Sequence, residues 1–258
     1  MAQMSKSLEK GMAVLELLDE TPAGLGVREM ARRLDMPASN VQRLVTTFEK
    51  LSYVEKIETS RTYRLSFKAY FLGQSALRSD RLAIAASPEI ERLASEHNVC
   101  GYLSVRHQDR AVYVQVNETH GIVSTHMAPG ASIPLHTTAM GKILLSALGD
   151  DEIRGLLGPG PLLALTSKSV TDVEVLLGDI RQVREKGMAF IVEENIYGIA
   201  SLAAPIFNYT GRMVAALSVA IPTSSKVDED FERLSRVVAG AARRISVACG
   251  YEAGAQDQ

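Results

Sequence analysis

Apolar residues recur at helical spacing in three successive stretches at the start of the chain. Leu8, Met12, Leu15 and Leu18 share one side of a helix predicted over about 5–20, with Val14 flanking, and Thr21-Pro22-Ala23-Gly24 ends it. Val27, Met30, Ala31 and Leu34 follow the i, i+3, i+4, i+7 pattern of a second helix over about 27–35. Met36-Pro37 interrupts that helix, because the residue before a proline is disfavoured in the α region. A third helix over about 38–51 places Val41, Leu44, Val45, Phe48 and Leu51 on one face. Val54–Ile57 then reads as a strand, Glu58–Thr62 as a turn, and Tyr63, Leu65 and Phe67 as an alternating return strand.

Residues 68–98 keep a helical pattern, with a break or kink expected at Ser87-Pro88. From 99 onward short strands dominate: Cys100–Arg106, Ala111–Asn117, Met188–Glu193, Leu202–Asn208 and Met213–Ile221. Helices are predicted at about 138–148, 150–157, 171–186 and 228–248. The third carries Val173, Leu176, Leu177, Ile180 and Val183 on one face, with Gly187 past its end. Strands and helices mixed without strict alternation define an α+β class.

Composition adds exclusions. The 258 residues are 46% apolar and 22% charged, a globular balance that rules out a disordered arm. No apolar run approaches the roughly 18 residues of a membrane span. Met1–Lys6 has no apolar secretory core, so a cytoplasmic location is expected. Cys100 and Cys249 are expected as buried thiols rather than a disulfide scaffold. Net charge is −2, but residues 26–68 hold nine basic and five acidic residues, a local +4.

Three helices followed by a hairpin form the layout of a winged helix-turn-helix. In the third helix the apolar stripe leaves Ser39, Arg43, Thr46 and Lys50 on the opposite side, flanked by Asn40, Gln42 and Thr47. These residue types bond base edges and phosphates, and no acid occurs over 36–48. Arg28, Arg32 and Arg33 of the second helix, with Arg61 and Arg64 of the hairpin, are candidates for phosphate contact.

Ala31-Arg32-Arg33-Leu34, Arg43-Leu44-Val45, Leu51-Ser52-Tyr53-Val54 and Tyr63-Arg64-Leu65 resemble the winged-helix domain of the IclR family of bacterial transcription regulators. Pro134–Lys142 resembles that family's proline–histidine–threonine–alanine–glycine–lysine segment. Gly187–Phe190, Glu193-Glu194-Asn195, Gly198, Ala203–Ile206, Gly211, Ala215–Ser218 and Pro222 are similar to its effector-domain signature. The resemblance spans roughly 5–250. It implies an N-terminal winged helix-turn-helix plus a C-terminal GAF-like domain with a central antiparallel sheet flanked by helices. The expected division is 1–66 DNA-binding, 67–98 helical linker, 99–250 effector-binding and 251–258 flexible tail. The implied partners are double-stranded DNA carrying a pseudo-palindromic operator, a small-molecule effector such as an organic or aromatic acid, and further copies in a homodimer or homotetramer. No membrane partner and no cofactor are expected.

The same resemblance puts His136, Thr137, Thr138, Ala139 and Met140, with Glu193, Glu194 and Asn195, at the rim of an effector pocket, and has Ser201 and Ser218 supply hydroxyls. Ala139 and Met140 open the 138–148 helix, where backbone N–H groups favour an anion. Ile191 and Val192 stand where many members carry polar residues, which favours a ligand with a larger apolar body.

Other chemistry finds little footing. Glu193 and Glu194, adjacent on a strand, would point to opposite faces and not flank one bond. Ala139–Lys142 lacks phosphate-loop spacing. The histidines at 97, 107, 120, 126 and 136 form no i, i+4 pair, so no metal site is expected, and no histidine neighbours either cysteine. No catalytic set is expected. The rival reading is a small-molecule sensor or enzyme whose N-terminal domain is a protein-interaction module; a metal-sensing repressor is a third.

Overall fold

The computed structural model describes residues 5–117, 127–223 and 227–252; His120, His126 and the tail from 253 onward lie outside the described residues. The chain divides into two units, Met1–Ser79 and Asp80–Gln258.

The first unit comprises α1 (Lys6–Asp19), α2 (Val27–Arg33), α3 (Ala38–Lys50), β1 (Val54–Ile57), β2 (Thr62–Leu65) and α4 (Phe67–Ser79). Its core joins Val14, Leu17 and Leu18 of α1 to Leu25, Met30, Ala31, Val41, Val45, Val54 and Tyr63. The buried side of α1 differs from the expected one: Leu8 is 65% and Met12 46% exposed. The reason is Gly11, where a Cβ would stand 3.2 Å from the Phe48 ring, so the glycine side seats against α3. Leu51, expected on the α3 stripe, instead caps that helix and is half-exposed. The return strand stops at Leu65. Ser66 Oγ accepts the Lys68 N–H at 3.1 Å and opens α4 there, so Phe67 leaves the hairpin and is 79% exposed.

β1 and β2 pair antiparallel with Val54 opposite Leu65, and Leu25 exchanges two backbone hydrogen bonds of 2.9 Å with Tyr63. Gly24 makes that approach possible: it holds φ +83°, and a Cβ there would lie 2.9 Å from the Tyr63 carbonyl oxygen.

The second unit begins with α5 (Arg81–His97). The helical interruption falls at Asp80, not at Ser87-Pro88. Asp80 Oδ1 accepts the Leu82 and Ala83 N–H groups at 2.8 and 3.1 Å, a strong cap. Helix α5 runs through Pro88 because the residues around it are anchored: Ala86, Ile90 and Leu93 are buried, and Glu89 takes both Arg244 N–H groups at 2.9 and 2.7 Å. The stretch expected as one connector is therefore two helices, one in each unit.

The strands β3 (Cys100–His107), β4 (Arg110–Asn117), β5 (Ser132–Pro134), β6 (Ala189–Val192), β7 (Ile199–Phe207) and β8 (Met213–Pro222) form one antiparallel sheet in the order β5-β4-β3-β8-β7-β6. α5 and α9 (Val227–Ala248) cover one face around Leu103, Leu202, Leu217, Leu234, Val238 and Ile245. A 3-10 turn at Leu135–Thr137, with α6 (Ala139–Ser146), α7 (Asp150–Leu157) and α8 (Val173–Lys186), covers the other. α8 buries the five residues its pattern indicates, starts at an Asp172 cap and stops at Gly187. β5 and the 3-10 turn have no counterpart in the pattern reading, and β7 opens three residues earlier than expected. Cys100 and Cys249 are both buried.

Candidate nucleic-acid interface and ligand cavity

Helix α3 buries Val41 and Val45 and leaves Ser39, Gln42, Arg43, Thr47 and Lys50 exposed, with Asn40 and Thr46 half-buried. Gln42 Nε2 donates to Thr46 Oγ1 at 3.1 Å, and Thr47 Oγ1 donates to the Arg43 carbonyl at 2.9 Å. The cations sort into two groups. Arg28, Arg43, Lys50 and the hairpin-tip Arg61 are exposed and meet no carboxylate among the described residues. Arg32 and Arg33 both grip Glu29, and Arg64 Nε donates to Glu55 at 2.6 Å. Hydrogen bonds from Arg32, then Arg33, hold the Glu29 carboxyl down at about 2. The unpaired group is ready to meet an anion, whereas each paired guanidinium must first exchange a carboxylate.

The second unit holds a small cavity between the central strands and the start of α6. Strand register builds its floor. Tyr102 opposes Ser218, which opposes Ala203; in the next row Ala220 opposes Ser201, which opposes Ile191. Alanine and serine on the central strands leave the space, and larger side chains wall it: Tyr102 and Tyr113 in an edge-to-face pair with centroids 5.7 Å apart, Met127, Met140, Ile191, Ile196 and Ile199. Among the described residues the polar lining is neutral: Thr138, Asn195, Ser201, Ser218 and the tyrosine phenols, with no charged side chain. Burial pushes the Tyr113 phenol up to about 12, so it stays a neutral donor. Ser218 Oγ is buried without a hydrogen-bond partner among the described residues.

Helix α6 delivers Met140 to this cavity. Thr138 Oγ1 caps it by accepting the Gly141 N–H at 3.0 Å. The N–H groups of Ala139 and Met140 meet no acceptor among the described residues. Gly141 lets the helix lie on the 3-10 turn, since a Cβ there would sit 2.0 Å from the Leu135 carbonyl oxygen.

Of the ten residues expected at the pocket, Thr138, Met140, Asn195, Ser201 and Ser218 line it. The other five face elsewhere. His136 Nε2 is 2.8 Å from the Leu163 carbonyl, and burial lowers the imidazole's affinity for a proton. Thr137 and Ala139 are buried in the packing behind the wall. Glu193 and Glu194 do not alternate on a strand: β6 ends at Val192 and Glu193 takes φ +60°. Glu193 accepts from Lys168 Nζ at 2.6 Å and from the Gly198 N–H at 2.9 Å. Glu194 Oε1 accepts from buried Lys142 Nζ at 2.8 Å; burial nonetheless raises its pKa. The two tyrosines and Ile199 escape a reading by motif. Their signal is alternation within β3, β4 and β7, and it becomes a site only once the register is known. Among the described residues no group of three metal-ligating side chains occurs, and no helix is long and apolar enough to cross a membrane.

A winged helix-turn-helix with an unpaired basic face and a separate unit with an aromatic-walled cavity define the class of one-component, DNA-binding regulators. Residues 7–58 match the profile of the IclR helix-turn-helix domain, and residues 74–247 match that of the bacterial transcriptional regulator IclR C-terminal domain. The chain belongs to the IclR family of transcriptional regulators, which are not enzymes. It is 33% identical to the Pca regulon regulatory protein of Pseudomonas putida over 83% of this chain and 73% of the relative. It is 30% identical to the HTH-type transcriptional regulator KdgR of Escherichia coli (strain K12) over 95% and 93%. An IclR transcriptional regulator from Alicyclobacillus acidocaldarius superposes with a TM-score of 0.84 at 27% identity, covering 96% of this chain and all of that one. An IclR homolog from Microbacterium hydrocarbonoxydans complexed with 4-hydroxybenzoate has the same fold, with a TM-score of 0.79 at 23% identity over 95% and 99%.

Proposed function

We propose that this regulator binds a pseudo-palindromic operator as a homodimer, or as a tetramer of paired dimers, and that a small organic or aromatic acid in the aromatic-walled cavity controls its affinity. The DNA-facing set is Ser39, Asn40, Gln42, Arg43, Thr46, Thr47 and Lys50 of α3, with Arg28 and Arg61 on phosphates and Arg64 joining on release from Glu55. Two α3 helices related by a dyad would enter major grooves about one helical turn, or a multiple, apart. Exposed apolar side chains on α1 and α4, among them Leu8, Met12, Phe67 and Leu72, support self-association through the N-terminal half. Work on chromosomal DNA fits a cytoplasmic location.

The observation that carries the ligand reading is the cavity's lining among the described residues: aromatic and aliphatic walls, neutral polar groups, and Met140, whose N–H meets no acceptor there. A flat apolar body suits the tyrosine and isoleucine walls, and a carboxylate suits the start of α6. The residues we assign to the ligand are Thr138, Ala139 and Met140 through the helix start, and Asn195, Ser201 and Ser218 through their side chains. Coupling is by linkage: a ligand that favours one arrangement of the dimer shifts operator affinity, and operator binding shifts ligand affinity equally.

The test is fluorescence anisotropy with the DNA upstream of its own gene at two salt concentrations, with and without 4-hydroxybenzoate. Specific binding that 4-hydroxybenzoate alters is expected. Binding no stronger than to scrambled DNA would remove the operator reading. Specific binding unaffected by a panel of aromatic and aliphatic acids would remove the effector reading.

A further inference from the structure

Lys142 takes no part in lining the cavity, yet it is the most deeply buried cation described: its side chain is 4% exposed. Nζ donates to Glu194 Oε1 and to Asp179 Oδ2, both at 2.8 Å. The two carboxylates do different jobs. Asp179 belongs to α8, which the apolar stripe already seats on the sheet. Glu194 belongs to the irregular segment 193–198 between β6 and β7, which carries Asn195 and Ile196 into the cavity.

That segment is held by several polar contacts. Thr166 Oγ1 donates to the Glu193 carbonyl and Ser169 Oγ to the Glu194 carbonyl, each at 2.6 Å. Glu193 also accepts from Lys168 Nζ and from the Gly198 N–H, and the Tyr197 hydroxyl accepts the Ser167 N–H at 2.8 Å, so these bonds join the segment to residues 166–169 or to itself. The Lys142–Glu194 pair is the contact that ties the segment to α6. Lys142 follows Met140 by two residues, so one short helix supplies both a wall of the cavity and the anchor of a segment that also lines it.

We propose that Lys142 and Glu194 are positioning residues for the ligand site: the ion pair fixes Asn195 and Ile196 relative to the start of α6 and so sets ligand affinity from outside the cavity. This rests on the ligand reading above for its effect on affinity, though not for its effect on the segment. Breaking a buried ion pair by removing one member strands a charge, so Lys142 itself is a poor site to change. Glu194→Ala and Asp179→Ala each leave Lys142 one carboxylate but release different elements, and because Glu194 is the more buried of the two, the melting temperatures of both variants are compared alongside.

The experiment measures amide hydrogen exchange of the peptide covering 193–198 in the full-length, ligand-free protein, with melting temperature and 4-hydroxybenzoate titration alongside. Glu194→Ala is expected to speed exchange in that peptide by about tenfold or more, with Asp179→Ala within about twofold of wild type at a similar loss of melting temperature. Glu194→Gln, which keeps an acceptor for Lys142, is expected to recover part of the protection. In the titration Glu194→Ala is expected to weaken binding by about tenfold and Asp179→Ala by less than about twofold. Equal exchange in the two alanine variants would overturn the proposal and leave the contacts from residues 166–169 as sufficient clamps. Absence of 4-hydroxybenzoate binding by wild type would count against the aromatic-acid reading, with the exchange comparison still deciding this one.

Discussion

Replacing Gly141 by alanine puts a methyl carbon 2.0 Å from the Leu135 carbonyl oxygen and 2.6 Å from the Leu135 carbonyl carbon and Cα. Cβ contacts below 3.0 Å do not occur, so α6 and the 3-10 turn must part by about 1 Å. The obstacle is backbone, and no rotamer change relieves it. Overpacking at a buried site costs about 1–3 kcal/mol, and here the upper end applies. Alanine's helix propensity returns about 1 kcal/mol. The net expectation is a loss of about 2 kcal/mol, or roughly 4–8 °C in melting temperature for a unit of this size. Gly155, helical in α7 with nothing within 4 Å of an added Cβ, is the internal control: Gly155→Ala should be neutral or stabilising by up to about 1 kcal/mol. Urea titration followed by far-ultraviolet circular dichroism measures both. A Gly141→Ala variant within about 0.5 kcal/mol of wild type would refute the reasoning, because it would mean that α6 rides freely over Leu135.

Arg43→Ala should weaken operator binding by about 1–3 kcal/mol with sequence dependence if Arg43 reads a base, or weaken all DNAs alike with a salt slope flatter by about one if it meets phosphate; an unchanged constant and slope in anisotropy titrations would remove it from the interface. Ser218→Ala should leave the ligand-free protein as stable or slightly more so, since an unpartnered buried hydroxyl disappears, while weakening ligand binding by about 0.5–1.5 kcal/mol; calorimetry checks both, and a clear stability loss would contradict the hydroxyl's lack of a partner. His136 is buried with its proton affinity lowered, first by burial and then by the charges of Lys142 and Arg110, so the unfolded chain binds its proton more readily. The resulting stability is complete above the ordinary value of 6.5 and is lost as pH falls through the lower, folded value; melting temperature should drop more steeply below 6.5 in wild type than in His136→Gln, and parallel curves would sink the argument.

Much of this was legible in the pattern of residues, and the failures have physical causes. Helices α3 and α8 were readable because each has one apolar stripe and clear ends. Helix α1 misled in part: of its stripe Leu18 is buried and Leu15 packs on the core, while the packing followed Gly11 and left Leu8 and Met12 exposed. Pro88 suggested a break that Asp80 makes instead, since a cap with two hydrogen bonds stops a helix more firmly than a proline whose neighbours are anchored. The basic face of α3 needed only helical periodicity. Half of the cavity residues needed the register of β3, β8 and β7, which no local pattern encodes. Glu193 and Glu194 were placed on a strand that ends one residue too soon, and the left-handed turn at Glu193 sends both carboxylates to lysines.

A floor of alanine and serine in a sheet covered on both faces makes the choice of ligand easy to change over evolutionary time. Exchanging Ala220 or Ser201 for valine would narrow the chamber from below without touching a turn, a helix end or the surface that meets DNA. The same scaffold can thus drift from one metabolite to another by single codon changes, while its gene-reading half continues undisturbed.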